Sequence, residues 1–507
     1  MPTNSENNKR IAKNTAMLYV RMLLIMGVTL YTSRVVLQTL GVTDFGIYNV
    51  VGGVVSFLGF INGSLSGASS RFITFALGKG DKKLLSDSFS TILLVHYALA
   101  AVILILAETI GLWFVLEKMV IPLERQSAAM WVYQCSVITV LLSIVSTPYT
   151  SLVIAYERMS TFAYLSIFET IAKLLVVYLL IVVSFDKLAL YAVLLMVIQL
   201  SVRLIYSYYC KRNFSESKSK LTWNRPLAKE IGTYAGWTLN GNLAVIGYTQ
   251  GLNILLNLFF GPAVNAARGI AVQVQSAVSQ FSGNIQMAFN PQITKSYAQN
   301  NLDYMHTLLC NSSKYSFLLV FMIGVPVFLE VEQLLTLWLG IVPEHTASFF
   351  RITMFIALEN SFVNPVLTSV HATGNLKRFQ LIEGSVLLSI VPISYLALKF
   401  LNGNPESVFY IFLFVECVTQ IIRVWIVFPM IRLSKLEYIK RVFYPLLLIV
   451  VISIILPLVI YFGMTESFLR LVSICFASLF SVSIASYFLA ISKQERQMIN
   501  NKIKRFI

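Results

Sequence analysis

Apolar residues run along this chain in continuous blocks of about 20, parted by short polar stretches, without the alternation of a half-buried strand. Wound as a helix, such a block crosses roughly 30 Å of hydrocarbon. The strands of an outer-membrane barrel would instead show alternating segments of roughly ten residues. Fourteen blocks qualify: 16–38, 46–72, 88–115, 128–154, 163–183, 188–209, 234–258, 263–288, 315–337, 347–370, 381–398, 408–429, 445–462 and 472–491. The pattern predicts an all-α polytopic membrane protein with 14 transmembrane helices. The first block is too long for a signal-peptide core and no small-residue cleavage site follows it, so it reads as a span.

Composition strengthens this picture. Of 507 residues, 57% are hydrophobic and 12% charged, with a mean hydropathy of +0.74. Soluble chains run near 45–50% apolar and roughly 25% charged. A soluble enzyme, a disordered chain and a disulfide scaffold are excluded. The five cysteines lie in or near apolar blocks, and no two have metal-ligand spacing.

The net charge of +16 would suggest nucleic acid in a soluble protein, but here it sets orientation. With the N-terminus inside, inner segments carry 26 of the 39 Lys and Arg, and outer loops carry five. Both termini are therefore expected in the cytoplasm, and no nucleic-acid partner is expected. The outer loops are short. The longest inner loop, 210–233, is basic and polar and reads as a linker into an interfacial helix.

Sliding the chain on itself reveals a duplication. Gly41 matches Gly261 and Ile73-Thr74 matches Ile293-Thr294, both at one and the same offset. Pro148, Ala155 and Phe162 match Pro365, Ala372 and Phe379 at an offset only slightly shorter. Two six-helix bundles are expected, 1–215 and 234–430, joined by a cytoplasmic linker at 216–233 and followed by an added helix pair and tail at 431–507. Because six is even, the bundles should be related by a pseudo-two-fold axis along the membrane normal, with a central cavity and alternating access.

A charge at mid-bilayer costs about 2.5–3.5 kcal/mol on insertion scales, so it usually faces a cavity or a partner. Candidates within spans are Arg21, Arg34, Arg71, Lys173, Arg203, Arg268, Arg351 and Arg423. Snorkelling from span ends is the plainer reading for Arg34, Arg71 and Arg203. Glu169 and Lys173 are spaced as a helical ion pair, and Glu416 with Arg423 reads as a structural pair. Glu359, beside Asn360 and Asn364, is the least compensated acid and the candidate proton or cation site, with Glu169 as a second. On the eighth span Arg268, Gln275, Ser279, Ser282 and Gln286 form one stripe, and Gln273, Gln280 and Asn284 another. Asn242, Thr249 and Asn253 repeat the habit on the seventh. Such amides either bond neighbouring helices or line a wet wall, and they make the eighth span the first candidate for substrate contact.

Amides bond sugar hydroxyls and arginine binds phosphate bidentately, so the lining suits a large, hydroxyl-rich, anionic cargo. A lipid-linked oligosaccharide fits that description, since an unpaired hydroxyl costs several kcal/mol to bury. No phosphate-binding loop GxxxxGK[ST] is present, so a proton, sodium or voltage gradient is the expected source of energy. No resident cofactor is expected.

At this point the runs NTAMLYVRMLL…SRVVLQTLGVTDFGIYNVVGGV (14–54) and FFGPAVNAARGIAVQVQSAVSQF…NPQITKSYAQ (259–299) matter. With the motif LGxxDFGIY, Leu40 to Tyr48, they resemble the bacterial polysaccharide/oligosaccharide-lipid flippases of the multidrug/oligosaccharidyl-lipid/polysaccharide exporter superfamily. The resemblance implies flipping of polyprenyl-diphosphate-linked repeat units for capsule, O-antigen or exopolysaccharide across the bacterial inner membrane. It implies a monomer working in the lipid bilayer beside a polysaccharide polymerase and a chain-length regulator. It also implies that Arg21, Arg71 and Arg268 engage the diphosphate; Lys173 and Arg351 join the substrate-contact candidates from their place within spans alone.

Three other readings compete. A multidrug extruder of the same superfamily would favour acids and aromatics for organic cations. A peptidoglycan-precursor flippase would share a basic cavity. A membrane polymerase or ligase would need a sizeable catalytic outer loop, which the spans do not leave room for, and His96, well inside a span, reads as core.

Overall fold

The computed structural model describes residues 4–58, 61–117, 119, 121–183, 185–218, 221–339, 342–491 and 496–497. Among them every regular element is helical. Among the described residues eleven helices are long and apolar enough to cross a membrane: Arg10–Thr29, Lys82–Glu117, Leu123–Ala155, Met159–Val182, Lys187–Asn213, Arg225–Phe260, Leu302–Leu329, Lys377–Phe400, Pro405–Met430, Lys435–Gly463 and Phe468–Leu489.

The remaining three predicted spans fall on helical segments that are more polar. Pro262–Ala298 and Thr346–Thr373 carry two of them, whereas the second, 46–72, is divided between the part of Asn4–Leu58 that follows Gly41 and the helix Ile61–Lys79. Ile61–Lys79 carries a run of serines and glycines before Arg71, and Pro262–Ala298 carries the long amides of its two stripes. Thr346–Thr373 holds Arg351, Glu359, Asn360 and Asn364. Two boundaries also differ. The ninth span, read as 315–337, is a helix from Leu302 to Leu329, because Asn301 accepts from the Tyr304 amide and starts the helix well upstream. The seventh begins at Arg225, inside the expected linker, where Asn224 Oδ1 accepts from the Leu227 amide.

Several backbone punctuations recur at the duplication offset. The first helix is interrupted at Gly41 (φ 78°, ψ 168°), a conformation that only glycine adopts without Cβ strain. Gly261, its match in the second half, has φ 82° and separates Arg225–Phe260 from Pro262–Ala298. Gly80 (φ 72°) and Asn300 (φ 58°) stand in the same relation, each followed by a side-chain cap, Asp81 or Asn301. Glu157 (φ 57°) and Gly374 (φ 77°) form a third such pair, at the offset that carries Pro148 onto Pro365.

The chain forms two compact units, Met1–Leu239 with Tyr297–Gln299, and Asn240–Ser296 with Asn300–Ile507. In the first, Val51, Val132, Tyr133 and Leu188 form a buried core. Lys82–Leu106 continues into a π-bulge at Ala107–Gly111, where the Tyr133 hydroxyl donates to the Ala107 carbonyl at 2.6 Å. A Cβ on Gly111 would collide with that hydroxyl, so a glycine is required there. The segment after Lys187–Asn213 is strapped to Lys82–Leu106. The Thr222 amide and carbonyl both bond Ser90 Oγ, and the Asn224 amide donates to Thr91. Tyr156 donates to Glu216 at 2.7 Å; burial first, then that carboxylate, push its phenol up.

At one end of this unit Arg125 joins two helices. Its Nε and Nη2 donate to Asp44 at 2.8 and 2.5 Å, and Nη1 donates to Asp186 at 2.5 Å. Asp186 also caps Lys187–Asn213 through the Leu188 and Ala189 amides. Partial burial alone would raise its carboxyl, but Arg125 and the two amides outweigh this and hold it below the usual range. Asp44 belongs to the LGxxDFGIY motif, which gives that motif a structural role.

The second unit packs around Phe349, Phe350 and Phe409. Phe349 and Phe409 are stacked at 4.3 Å. Because lipid tails are as apolar as these side chains, such contacts act through close packing and not through water exclusion. The C-terminal helices Lys435–Gly463 and Phe468–Leu489 lie against Leu302–Leu329. They are fastened by a bidentate pair, Arg470 Nε and Nη2 to Glu330 at 2.6 and 2.8 Å.

Candidate functional site

Four helix segments of the second unit enclose a cavity of about 210 Å³. Arg225–Phe260 contributes Asn242 and Tyr248; Thr346–Thr373 contributes Asn360 and His371; Lys377–Leu388 contributes Gln380 and Glu383; Pro405–Met430 contributes Glu416 and Arg423. Gly241 makes room for this lining, since a Cβ there would overlap the Gln380 side-chain amide.

The charges are unequal. Arg423 is buried, and its guanidinium is held by Glu383 through Nη2 and through Nε at 2.6 Å. Glu416, read from the sequence as its structural partner, stands further off: its Oε2 is 4.0 Å from Arg423 Nη1 and has no hydrogen bond. The 2.6 Å contact from Glu383 comes from another helix and wins on distance. Beside them Glu359 has a buried Oε2 without a hydrogen bond, next to Gln420, whose Nε2 is also unbonded. Two carboxylates, Glu383 and Glu416, thus line the polar cavity with one guanidinium, and Glu359 stands beside it.

The other sequence candidates divide into several groups. Glu169 and Lys173 form the expected pair at 2.6 Å, partly exposed. Arg351 pairs with Glu332 at 3.2 Å. Arg268 is buried and bonds Asn253 at 3.2 Å and the Thr249 carbonyl at 2.9 Å, tying Arg225–Phe260 to Pro262–Ala298. Gln286 donates to the Ser361 carbonyl at 3.1 Å, and Asn284 to the Gln280 carbonyl at 3.0 Å. These are interhelical and local hydrogen bonds, the alternative the amides left open. Gln273 and Gln280 are exposed and Gln275 half-buried. Asn242 alone among the amide candidates lines the cavity.

In the first unit Arg71 is buried in an aromatic cage. Its guanidinium carbon lies 4.5, 4.8 and 5.7 Å from the rings of Phe72, Phe75 and Tyr234, with Glu230 at 3.7 Å. Arg21 sits over Phe162 at 4.5 Å, with its Nε buried and unbonded. Arg203 stacks on Tyr149 at 4.3 Å. The side chain of Arg34 lies outside the described residues. His96 is fully buried, its Nδ1 within 2.9 Å of the Ile92 carbonyl.

Gln380, Glu383 and His371 were not singled out as site residues from sequence. Their only linear signal is polarity at the end of the tenth span, for His371, and at the start of the eleventh, for Gln380 and Glu383, and the contact that joins Glu383 to Arg423 is long-range.

The helical arrangement is the fold of the MATE transporters of the MOP superfamily. A MATE in complex with MaD3S aligns with a TM-score of 0.72 over 84% of this chain and 96% of its own, at 14% identity. The MATE transporter ClbM in complex with Rb+ gives 0.70 over 84% and 96%, at 14%. A MOP superfamily transporter from Pyrococcus furiosus gives 0.68 over 83% and 96%, at 13%. At such identities the likeness shows the fold alone. No protein-family model matches the chain, and no characterised protein matches it by sequence.

Proposed function

We propose that this chain is a secondary membrane transporter working by alternating access, in which the acidic cavity of the second unit holds the coupling cation. The observation that carries this reading is the excess of carboxylates over the one buried guanidinium, two of them buried (Glu383, Glu416) and one half-buried (Glu359), with Glu359 Oε2 and Glu416 Oε2 unbonded. Buried charge is tolerated when it is balanced, and a proton or a monovalent cation supplies the balance here. The Rb+ complex of a protein with this fold supports such a site. In this reading all fourteen helices cross the membrane, both termini face the cytoplasm, and 1–215 and 234–430 are the repeated halves.

For the cargo, the geometry favours an organic cation, the multidrug-extruder reading. The cavity is net acidic and aromatic at Tyr248, whereas Arg71, Arg268, Arg351 and Lys173 are already engaged by protein groups. The second reading, flipping of a polyprenyl-diphosphate-linked oligosaccharide at a bacterial inner membrane, is supported by Arg21, whose buried Nε has no partner, and by the LGxxDFGIY resemblance. The Pyrococcus furiosus protein, described by a binding pocket of reversed polarity that suggests a different function, supports more than one cargo for this fold.

Reconstitution into liposomes with an imposed proton or sodium gradient tests both. Uptake of a fluorescent organic cation that is lost in Glu359→Gln is the expected result. Gradient-driven movement of a labelled polyprenyl-diphosphate sugar, without cation uptake, turns the assignment to the second reading. Failure of both cargoes rejects the transport proposal for these substrates.

A further inference from the structure

In the first unit the pair Arg125–Asp186 joins the residue that precedes helix Gln126–Ala155 to the cap of helix Lys187–Asn213. The offset that carries Gly41 onto Gly261 carries these two onto His345 and Glu406, and they too are bonded, Nδ1 to Oε1 at 2.6 Å. His345 directly precedes helix Thr346–Thr373, and Glu406 lies in the first turn of Pro405–Met430. The same two places in each half are therefore clasped by a cation and a carboxylate, but the permanently charged arginine of the first half is a histidine in the second.

The second clasp is also thinner. Arg125 has a further carboxylate in Asp44, whereas the residue matching Asp44 in the second half is Val264, which packs into the apolar core. The charged groups found facing the His345 ring are Glu406, from Pro405–Met430, and the exposed Glu344 of its own loop, 3.9 Å from Nε2. Its flat side stacks on Phe349 at 5.8 Å. His345 is held at φ 68°, so the ring is delivered to Glu406 by a left-handed backbone turn, uncommon outside glycine.

We propose that His345–Glu406 is a proton-dependent clasp between the ends of the two helices that carry Glu359 and Glu416. Protonated, the imidazolium and carboxylate form an ion pair in which donor and acceptor are both charged. Deprotonated, His345 keeps only a neutral N–H donor toward Glu406, and the helix ends are freer to part. Histidine is the one side chain whose ordinary titration falls between about pH 5 and 8, so the clasp loosens as pH rises on that face, while Arg125–Asp186 holds throughout. That this face is the external one rests on the orientation proposed above; the proton dependence does not.

The test uses purified full-length protein and no cargo, so it stands apart from the transport proposal. Double-mutant cycles of His345→Gln with Glu406→Gln are read as shifts in Tm at about pH 5 and about pH 8. The coupling is expected to fall between the lower and the higher pH as the ion pair gives way to a bond with a neutral donor. A parallel cycle of Arg125→Gln with Asp186→Asn is expected to show the same coupling at both. His345→Arg, which rebuilds the first-half clasp, should fold and give pH-independent coupling to Glu406. Equal His345–Glu406 coupling at both pH values, no coupling at either, or a His345→Arg protein that keeps the wild-type pH response would overturn the proposal.

Discussion

Arg423 Nε lies 2.6 Å from a carboxylate oxygen of Glu383, on a different helix, and both side chains are buried. Removing one member of such a pair leaves the other charged and uncompensated, a loss of about 3–5 kcal/mol. Arg423→Met is expected to lower Tm sharply, and Arg423→Met with Glu383→Gln to recover much of the loss. Thermal unfolding of the two proteins in detergent decides; additive effects would mean that the pair is not energetically coupled.

Glu359→Gln removes a charge that has no bonded partner on its Oε2. The protein should therefore fold with unchanged or higher Tm and yet lose the dependence of transport on the driving-ion gradient. Transport against ion gradient, measured in proteoliposomes, is the check, and retention of full coupling would place the cation elsewhere.

Asp186 gives a pH prediction. Its folded carboxyl sits below the ordinary range, so the stabilisation it provides is complete above that range and is lost as pH falls through the lowered value. Asp186→Asn should lower Tm at neutral pH, and its difference from wild type should shrink below about pH 3. A difference that stays constant on acidification would show that the carboxylate charge is not what Arg125 holds.

Glu157 is in the left-handed region at φ 57°, and its carboxylate is bonded by Arg10 at 2.7 Å. Glu157→Ala loses the ion pair and keeps the strain, whereas Glu157→Gly loses the pair and relieves it. The glycine variant should be the more stable of the two by about 1 kcal/mol, read from their denaturation midpoints. Gly374, at the matching place in the second half, already has this solution.

The apolar helices were legible because hydropathy is additive along a chain. The three polar helices were legible only as blocks, since their serines, amides and charges become tolerable through neighbours that linear reading does not show. The i,i+4 pair Glu169–Lys173 could be read for the same local reason. The cavity could not: its lining runs from Gly241 to Arg423, and the contact that defines it joins two helices. Of the polar rows of Pro262–Ala298, Gln286 and Asn284 spend their amides on carbonyls, which linear reading could not distinguish from a wet wall. The clasps were hidden by chemistry: histidine and glutamate do not look like a repeat of arginine and aspartate until both pairs are seen bonded.

The bonds from Arg268 to Asn253 and to the Thr249 carbonyl have a consequence for biosynthesis. A helix as rich in amides as Pro262–Ala298 has little reason to leave the translocon by itself, and the arginine near its start adds to that reluctance. Its predecessor, Arg225–Phe260, is apolar enough to wait in the lipid and offers the acceptors that this arginine needs. The two are thus expected to insert as one hairpin, and a substitution at Asn253 is expected to lower the yield of inserted protein before it affects the folded one.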